Sequence, residues 1–545
     1  MMKLTQKFYL TVIAFAVGFI LAIALWPSHV PQSALVQPHG KALATESLDT
    51  DVSLVSKSLP TPDWHNVSLH SLGMQPQFAD DIDQFVDRIQ YQIAAELTFD
   101  PDAVIQGSQR VRYTNPSRQP LDRIVFRLYA NTPPLRNAGE MVVSNVSVDD
   151  QPITTQLSVE DTVLSVPLAQ PLEPGQAVVI HLDFSLRLRQ HEISESFERL
   201  GFIDRVVSAG SWYPAVSVYE AQRGWWVTPI TSGRGDPTYG EMALYEVFLT
   251  LPEDVTLITN GGLVGQTVLP DGRITYHDIT GPVRSHVFIA SDRYAMTEMR
   301  EVNGVRVQVW SYQDDETLTP DLDQAVLQTT VDALSTFGDQ FIPYPYREFD
   351  VVQHPTYTGL EFSGLTIITA AGWRQGEVAQ IIAHEVGHQW FYGLVGNNQV
   401  EHPWLDEALA TYSEVVYERA IIDHQQASEW AEELQVIWES LNRPNRVADR
   451  SLLPPLNLPV AAYEDGQYSI VYWAGAAFFI GLEQQLGQDG IYQSLQEYCQ
   501  RFRYEVATTA DLKSVLEAVS GQDLTALFER WVGDYSQDDQ PARAV

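Results

Sequence analysis

At 545 residues the chain is too long for one hydrophobic core and long enough for two domains with accessory segments. Its 45% hydrophobic and 19% charged residues exclude an intrinsically disordered chain, and 70 acidic against 33 basic residues, a net charge of -37, argue against any nucleic-acid partner. The single cysteine, Cys499, excludes an intramolecular disulfide framework and a cysteine-ligated zinc site.

The N-terminus comes first. Lys3 and Lys7 precede an uncharged run from Phe8 to Trp26, long enough to cross a hydrocarbon layer of about 30 Å as a helix. Leu25, Trp26 and Pro27 follow instead of the small residues of a cleavage site, so the run reads as an uncleaved signal anchor rather than a removed signal peptide. Lysines ahead of the span keep that end cytoplasmic and place the remaining mass on the extracytoplasmic side of the membrane, as a single-pass protein. From Pro27 onward the chain is rich in Pro, Ser and Gln without sustained periodicity, which predicts a stalk over 27–85.

From about Tyr91 to Tyr294, short β-rich segments alternate with turns. Examples are Tyr91 to Phe99, Ile124 to Tyr129, Ala177 to Phe184, Glu246 to Leu251 and Val287 to Ala290, with turn signals at Asn260-Gly261-Gly262 and Pro270-Asp271-Gly272. Strands with few helices between them predict an antiparallel β domain over 86–300. After Pro320 the spacing becomes helical. Val326, Leu327, Val331 and Leu334 share one face of a helix predicted over Asp323 to Phe337. Two β-rich segments follow, Asp350 to Gln353 and Leu365 to Thr369, and helical patterns then dominate. The fold class is therefore α+β, a β domain followed by a mainly α domain over 301–535, with 536–545 as a tail.

The chemistry sits in Ile381-Ile382-Ala383-His384-Glu385-Val386-Gly387-His388. Histidines four apart project from one helix face, so both imidazoles can reach one ion. Glu385, beside the first, can take a proton from a water at that ion. The bland alternative is a surface helix with two exposed histidines; Ile381, Ile382, Trp390 and Phe391 argue for a buried helix, where unpaired imidazoles would be costly. A tetrahedral site with one open position needs a third protein ligand. Eighteen residues beyond His388 stands Glu407, flanked by apolar and small residues from Pro403 to Tyr412, which suggests a second buried helix carrying a carboxylate inward.

Together these segments resemble the zinc site of aminopeptidase N-like gluzincins, the membrane alanyl aminopeptidase family, which pair the histidine motif with a Trp-Leu-Asn-Glu-Gly segment. Asp406 and Ala408 stand where that family has Asn and Gly. The resemblance implies a thermolysin-like catalytic domain and one Zn2+ per chain held by His384, His388 and Glu407. It also implies that Tyr472, within Ile470 to Gly475, donates to the developing oxyanion, with Tyr468 one turn earlier as its rival. A family strand whose glutamate binds the substrate's free amine is similar to Thr358-Gly359-Leu360-Glu361-Phe362, which nominates Glu361 and Gly359 for substrate binding; Thr358 and Phe362 depart from its usual Gly and Asn. The family's second amine-binding residue, contributed by the β domain, has no evident counterpart. The likeness extends to Thr509–Trp531, and the large C-terminal helical domain of many relatives is not expected in a chain of this length. The activity implied is removal of N-terminal residues from peptides. Alternatives are an exported zinc endopeptidase or oligopeptidase, a hydrolase of a non-peptide bond, and an inactive binding ectodomain; the intact His384, Glu385, His388 and Glu407 weigh against the last.

Overall fold

The computed structural model of the chain describes residues 60–542, apart from positions 100, 137, 192–198, 236–237, 356–358, 377, 422–428, 443–452, 465 and 537. The N-terminal half is built on an eight-stranded sheet. In spatial order its strands are Gly262–Val268, Ile274–Ile279, Leu244–Leu251, Gln90–Phe99, Ala103–Thr114, Ala177–Leu188, Gly139–Val148 and Gln151–Pro152. Two smaller sheets, of five and four strands, belong to the same half. Ala177–Leu188 shows why a sheet forms here: Val178, Ile180, Leu182, Phe184, Leu186 and Leu188 recur at period two and are all buried.

The domain is not purely antiparallel. Gln90–Phe99 runs parallel to Leu244–Leu251, with Ile93 opposite Val247. A parallel neighbour needs a long crossover, and here more than a hundred residues of other strands supply it, a pairing that no local pattern reveals.

The second half opens on a mixed five-stranded sheet ordered Tyr294–Val302, Val305–Tyr312, Glu348–His354, Leu365–Thr369 and Leu360–Phe362. The helix Pro320–Gln340 packs on it, burying Val326, Leu327, Val331 and Leu334 as their spacing predicts. Helices then follow to Trp531. Tyr294–Val302 already belongs to this sheet, so the boundary between the halves falls a few residues earlier than the expected position 300.

Two further expectations need correction. Residues 60–85 are not stalk. Ser68–Gly73 and Pro76–Phe85 are 3-10 helices that strap both halves together, with Met74, Ile82 and Phe85 buried. His70 Nδ1 lies 2.7 Å from the Thr280 carbonyl of the β domain. Gln75 Nε2 donates to the Tyr344 carbonyl at 2.6 Å, and Tyr504 donates to Asp81 at 2.9 Å, both in the second half. Polar residues used as anchors gave the misleading look of a linker. The expected tail also docks, up to Ala542: the Ala542 amide donates to the Tyr219 carbonyl at 2.7 Å, and Asp539 accepts from the amides of Gln222 and Arg223 at 3.0 Å.

The predicted anchor Phe8 to Trp26 lies outside the described residues. Among those described, no helix is long and apolar enough to cross a membrane.

Candidate metal centre

Three helices meet at the predicted residues. Ala379–Gly387 carries His384 and Glu385 and buries Ile382, Ala383 and Val386; His388 caps it in helical geometry, so the four-residue spacing still aligns the two imidazoles. Trp404–Ile421 carries Glu407, and its residues from Trp404 to Val416 are buried all round because neighbouring helices cover both sides. Ile470–Leu486 carries Tyr472.

Two glycines let the helices approach this closely. A Cβ at Gly387 would lie 2.9 Å from Ser413 Cβ, and one at Gly475 would overlap the Ala408 methyl. The methyl that Ala408 adds where the related family has Gly is therefore accommodated by Gly475 on the facing helix.

The imidazoles are anchored from behind. His384 Nδ1 sits 2.8 Å from Glu414 Oε1, and Gln380 Nε2 donates to the other Glu414 oxygen at 2.5 Å. His388 Nδ1 lies 3.1 Å from the Phe391 carbonyl, which can only accept. Both Nδ1 atoms thus donate, leaving each neutral ring with its lone pair on Nε2. Those two nitrogens face each other at 3.1 Å and lie 3.3 and 3.4 Å from a single oxygen, Glu407 Oε2.

Three lone-pair atoms aimed at one point leave a cation or protons as the only stabilising occupants. Burial disfavours charge on His384, but its bonds to Glu407 and Glu414 outweigh burial and raise its pKa well above the usual imidazole value. Burial likewise lowers and Glu407 raises that of His388, with a net rise to about 9. Burial alone would raise Glu407, yet its contacts with the two histidines pull it down to about 2. Two nitrogens, one carboxylate oxygen and a strongly negative local field suit Zn2+ with one position open to water. These residues fit that ion.

The flanking groups complete the site. The Tyr472 hydroxyl donates to Glu407 Oε1 at 2.8 Å, and its ring centroid is 6.0 Å from that of His384. Tyr468 precedes the helix, with its hydroxyl against Gly235 of the β domain, and does not compete for that place. Glu385 is buried with its carboxylate against the Cα of Gly359. Glu361, on the edge strand Leu360–Phe362, brings an oxygen within 4.8 Å of ligand atoms of both Glu385 and His388. Gln389 fixes that strand to the histidine helix, accepting from the Gly364 amide at 2.9 Å and donating to the Phe362 carbonyl at 3.0 Å.

Sequence reasoning missed several contributors. Glu414 lies seven residues beyond Glu407, two turns along the same helix face, and that spacing could have nominated it. Asp406 accepts from Asn397 at 2.7 Å and Gln399 at 2.8 Å, while burial and the neighbouring Glu407 raise its pKa to about 7. Arg199 of the β domain lies 3.7 Å from Glu361, with both side chains buried. The β domain does reach the strand that carries Glu361, then, but with a cation.

Residues 325–531 match the peptidase family M1 domain. The chain is similar to aminopeptidase M1-B of Oryza sativa subsp. japonica, at 25% identity over 72% of this chain and 45% of that protein. It is also similar to aminopeptidase N of Haemonchus contortus, at 24% identity over 53% of this chain and 31% of that protein. The chain thus spans less than half the length of these curated relatives. Among solved structures, an M1 zinc metallopeptidase from Deinococcus radiodurans shares the fold, with TM-score 0.58 and 20% identity, over 82% of this chain and 94% of that one.

Proposed function

We propose that this chain, whose residues 325–531 match the peptidase family M1 domain, is a zinc-dependent aminopeptidase that removes N-terminal residues from peptides. The observation that carries the reading is the convergence of His384 Nε2, His388 Nε2 and Glu407 Oε2 within 3.4 Å of one another, each imidazole locked from behind. His384, His388 and Glu407 would hold the zinc ion, which would supply Lewis acidity for the scissile carbonyl and the attacking water.

The chain's own groups do the rest. Glu385 accepts the proton of the attacking water and passes it to the departing amine. Tyr472, whose hydroxyl already points into the cluster, turns its hydrogen bond to the oxygen that gains charge. Glu361 pairs with the substrate ammonium, which fixes the scissile bond one residue from the end.

The discriminating experiment compares a peptide with its N-acetylated form. An aminopeptidase cleaves the free-amine peptide and loses cleavage of the blocked one by about 100-fold or more, since a charge-assisted contact with a buried carboxylate is lost. Undiminished cleavage of the blocked peptide would establish an endopeptidase, a reading that the Arg199 charge beside Glu361 favours.

For location, the lysine-flanked run Phe8 to Trp26 supports a single-pass anchor with the catalytic mass on the extracytoplasmic side. The full-length chain should then resist alkaline carbonate extraction of membranes; release into the supernatant would contradict the anchor.

A further inference from the structure

Gln399 lies on the loop between the histidine helix and the Glu407 helix and is 3% exposed. Its amide bonds to three parts of the protein. Its Nε2 donates to Glu361 Oε1 at 2.9 Å, on the edge strand. The same Nε2 donates to Asp406 Oδ2 at 2.8 Å, next to the ligand Glu407. Its Oε1 accepts from the Thr238 hydroxyl at 2.8 Å, in the β domain.

The orientation of this amide is decided by chemistry. Two carboxylates can only accept from Gln399, whereas the Thr238 hydroxyl can donate to it, so a flipped amide would set its oxygen against two anionic oxygens. Arg199, 3.7 Å from Glu361 Oε1, pulls that carboxylate towards the β domain. The N–H of Gln399 holds the same oxygen.

We propose that Gln399 is a positioning residue for substrate recognition. Its amide sets the Glu361 carboxylate where it can take the ammonium group of a peptide, and Thr238 locks that amide from the β domain. The inference rests on Glu361 being the amine site of the proposed aminopeptidase. It adds the group that fixes that carboxylate in place, and it makes amine recognition a joint property of both halves of the protein. Sequence alone could not have found it: Thr238, Glu361 and the Gln399 to Asp406 stretch are three separate segments.

The test uses the zinc-loaded full chain and the amino alcohol phenylalaninol, which offers an amine and no scissile bond, with N-acetylphenylalaninol as control. In calorimetry, Gln399→Leu should bind phenylalaninol ~10-fold or more weakly than wild type, the consequence of losing one hydrogen bond to a charged group. For free-amine peptides its KM should rise by a similar factor with kcat changed far less, and its zinc content should match wild type. Thr238→Val, which leaves the Gln399 amide in place but unlocked, should weaken phenylalaninol binding by about 3-fold, the cost of one neutral hydrogen bond. It also carries the test if Gln399→Leu does not fold.

Wild-type phenylalaninol affinity in Gln399→Leu, or in Thr238→Val when only that variant folds, would overturn the inference. So would a lowered melting temperature with unchanged discrimination between free and acetylated ligands, the signature of a merely structural role. If wild-type protein itself fails to discriminate them, the aminopeptidase reading falls and takes this inference with it. If wild type discriminates and Gln399→Leu does so equally well, only the role of Gln399 falls.

Discussion

Glu385→Gln should bind zinc at the wild-type ratio, stay folded, and lose about 10²- to 10⁴-fold of kcat, the usual contribution of a positioned general base. The substitution keeps shape and volume but removes the lone pair that takes the proton, so substrate binding should survive and the loss should fall on kcat and kcat/KM alike. Glu385 is only 6% exposed, and its near neighbour Glu361 is also a carboxylate. Neutralising it removes a buried like charge, and the variant should melt no lower than wild type. That separates a catalytic loss from an unfolding artefact. Peptidase activity in Glu385→Gln equal to wild type, with metal bound, would take the proton-accepting role away from this residue.

How much of this was legible in the sequence depends on the range of each contact. His384 and His388 share a helix turn, so their joint direction follows from spacing alone. Glu407 needed only a second buried helix, and Trp404–Ile421 is that helix. The strand Leu365–Thr369 appears with the bounds its composition predicts. The helix starts at Ile470, which sets the Tyr472 hydroxyl against Glu407 and leaves Tyr468 in the preceding turn.

Most of what stayed hidden shares one physical cause. Arg199 meets Glu361, and Thr238 meets Gln399, only because the β domain is docked on the catalytic half; their spacing along the chain carries no signal. The parallel pairing of Gln90–Phe99 with Leu244–Leu251 is invisible for the same reason. The strap over residues 60–85 was hidden differently. Its 3-10 turns bury a few apolar residues and otherwise work through side-chain and backbone hydrogen bonds, so composition suggested a linker where packing makes a clasp. Asp406, a departure from the related family, proves to be well provided for: Asn397 and Gln399 supply its donors.

His388→Ala should abolish the metal centre. It removes one of two nitrogens aimed at Glu407 Oε2 and leaves a single imidazole and one carboxylate, too few protein ligands to hold zinc against dilution. Activity should fall with the metal, and the thermal stabilisation that added zinc gives to wild type should disappear with it, because an ion that no longer binds the folded state cannot shift its unfolding. The most direct measurement is therefore elemental analysis of the purified protein after dialysis, wild type beside His388→Ala. The expected result is about one zinc per wild-type chain and almost none in the variant. A wild-type chain without zinc after dialysis in zinc-containing buffer, or a variant that keeps it in full, would contradict the site on which the proposed function stands.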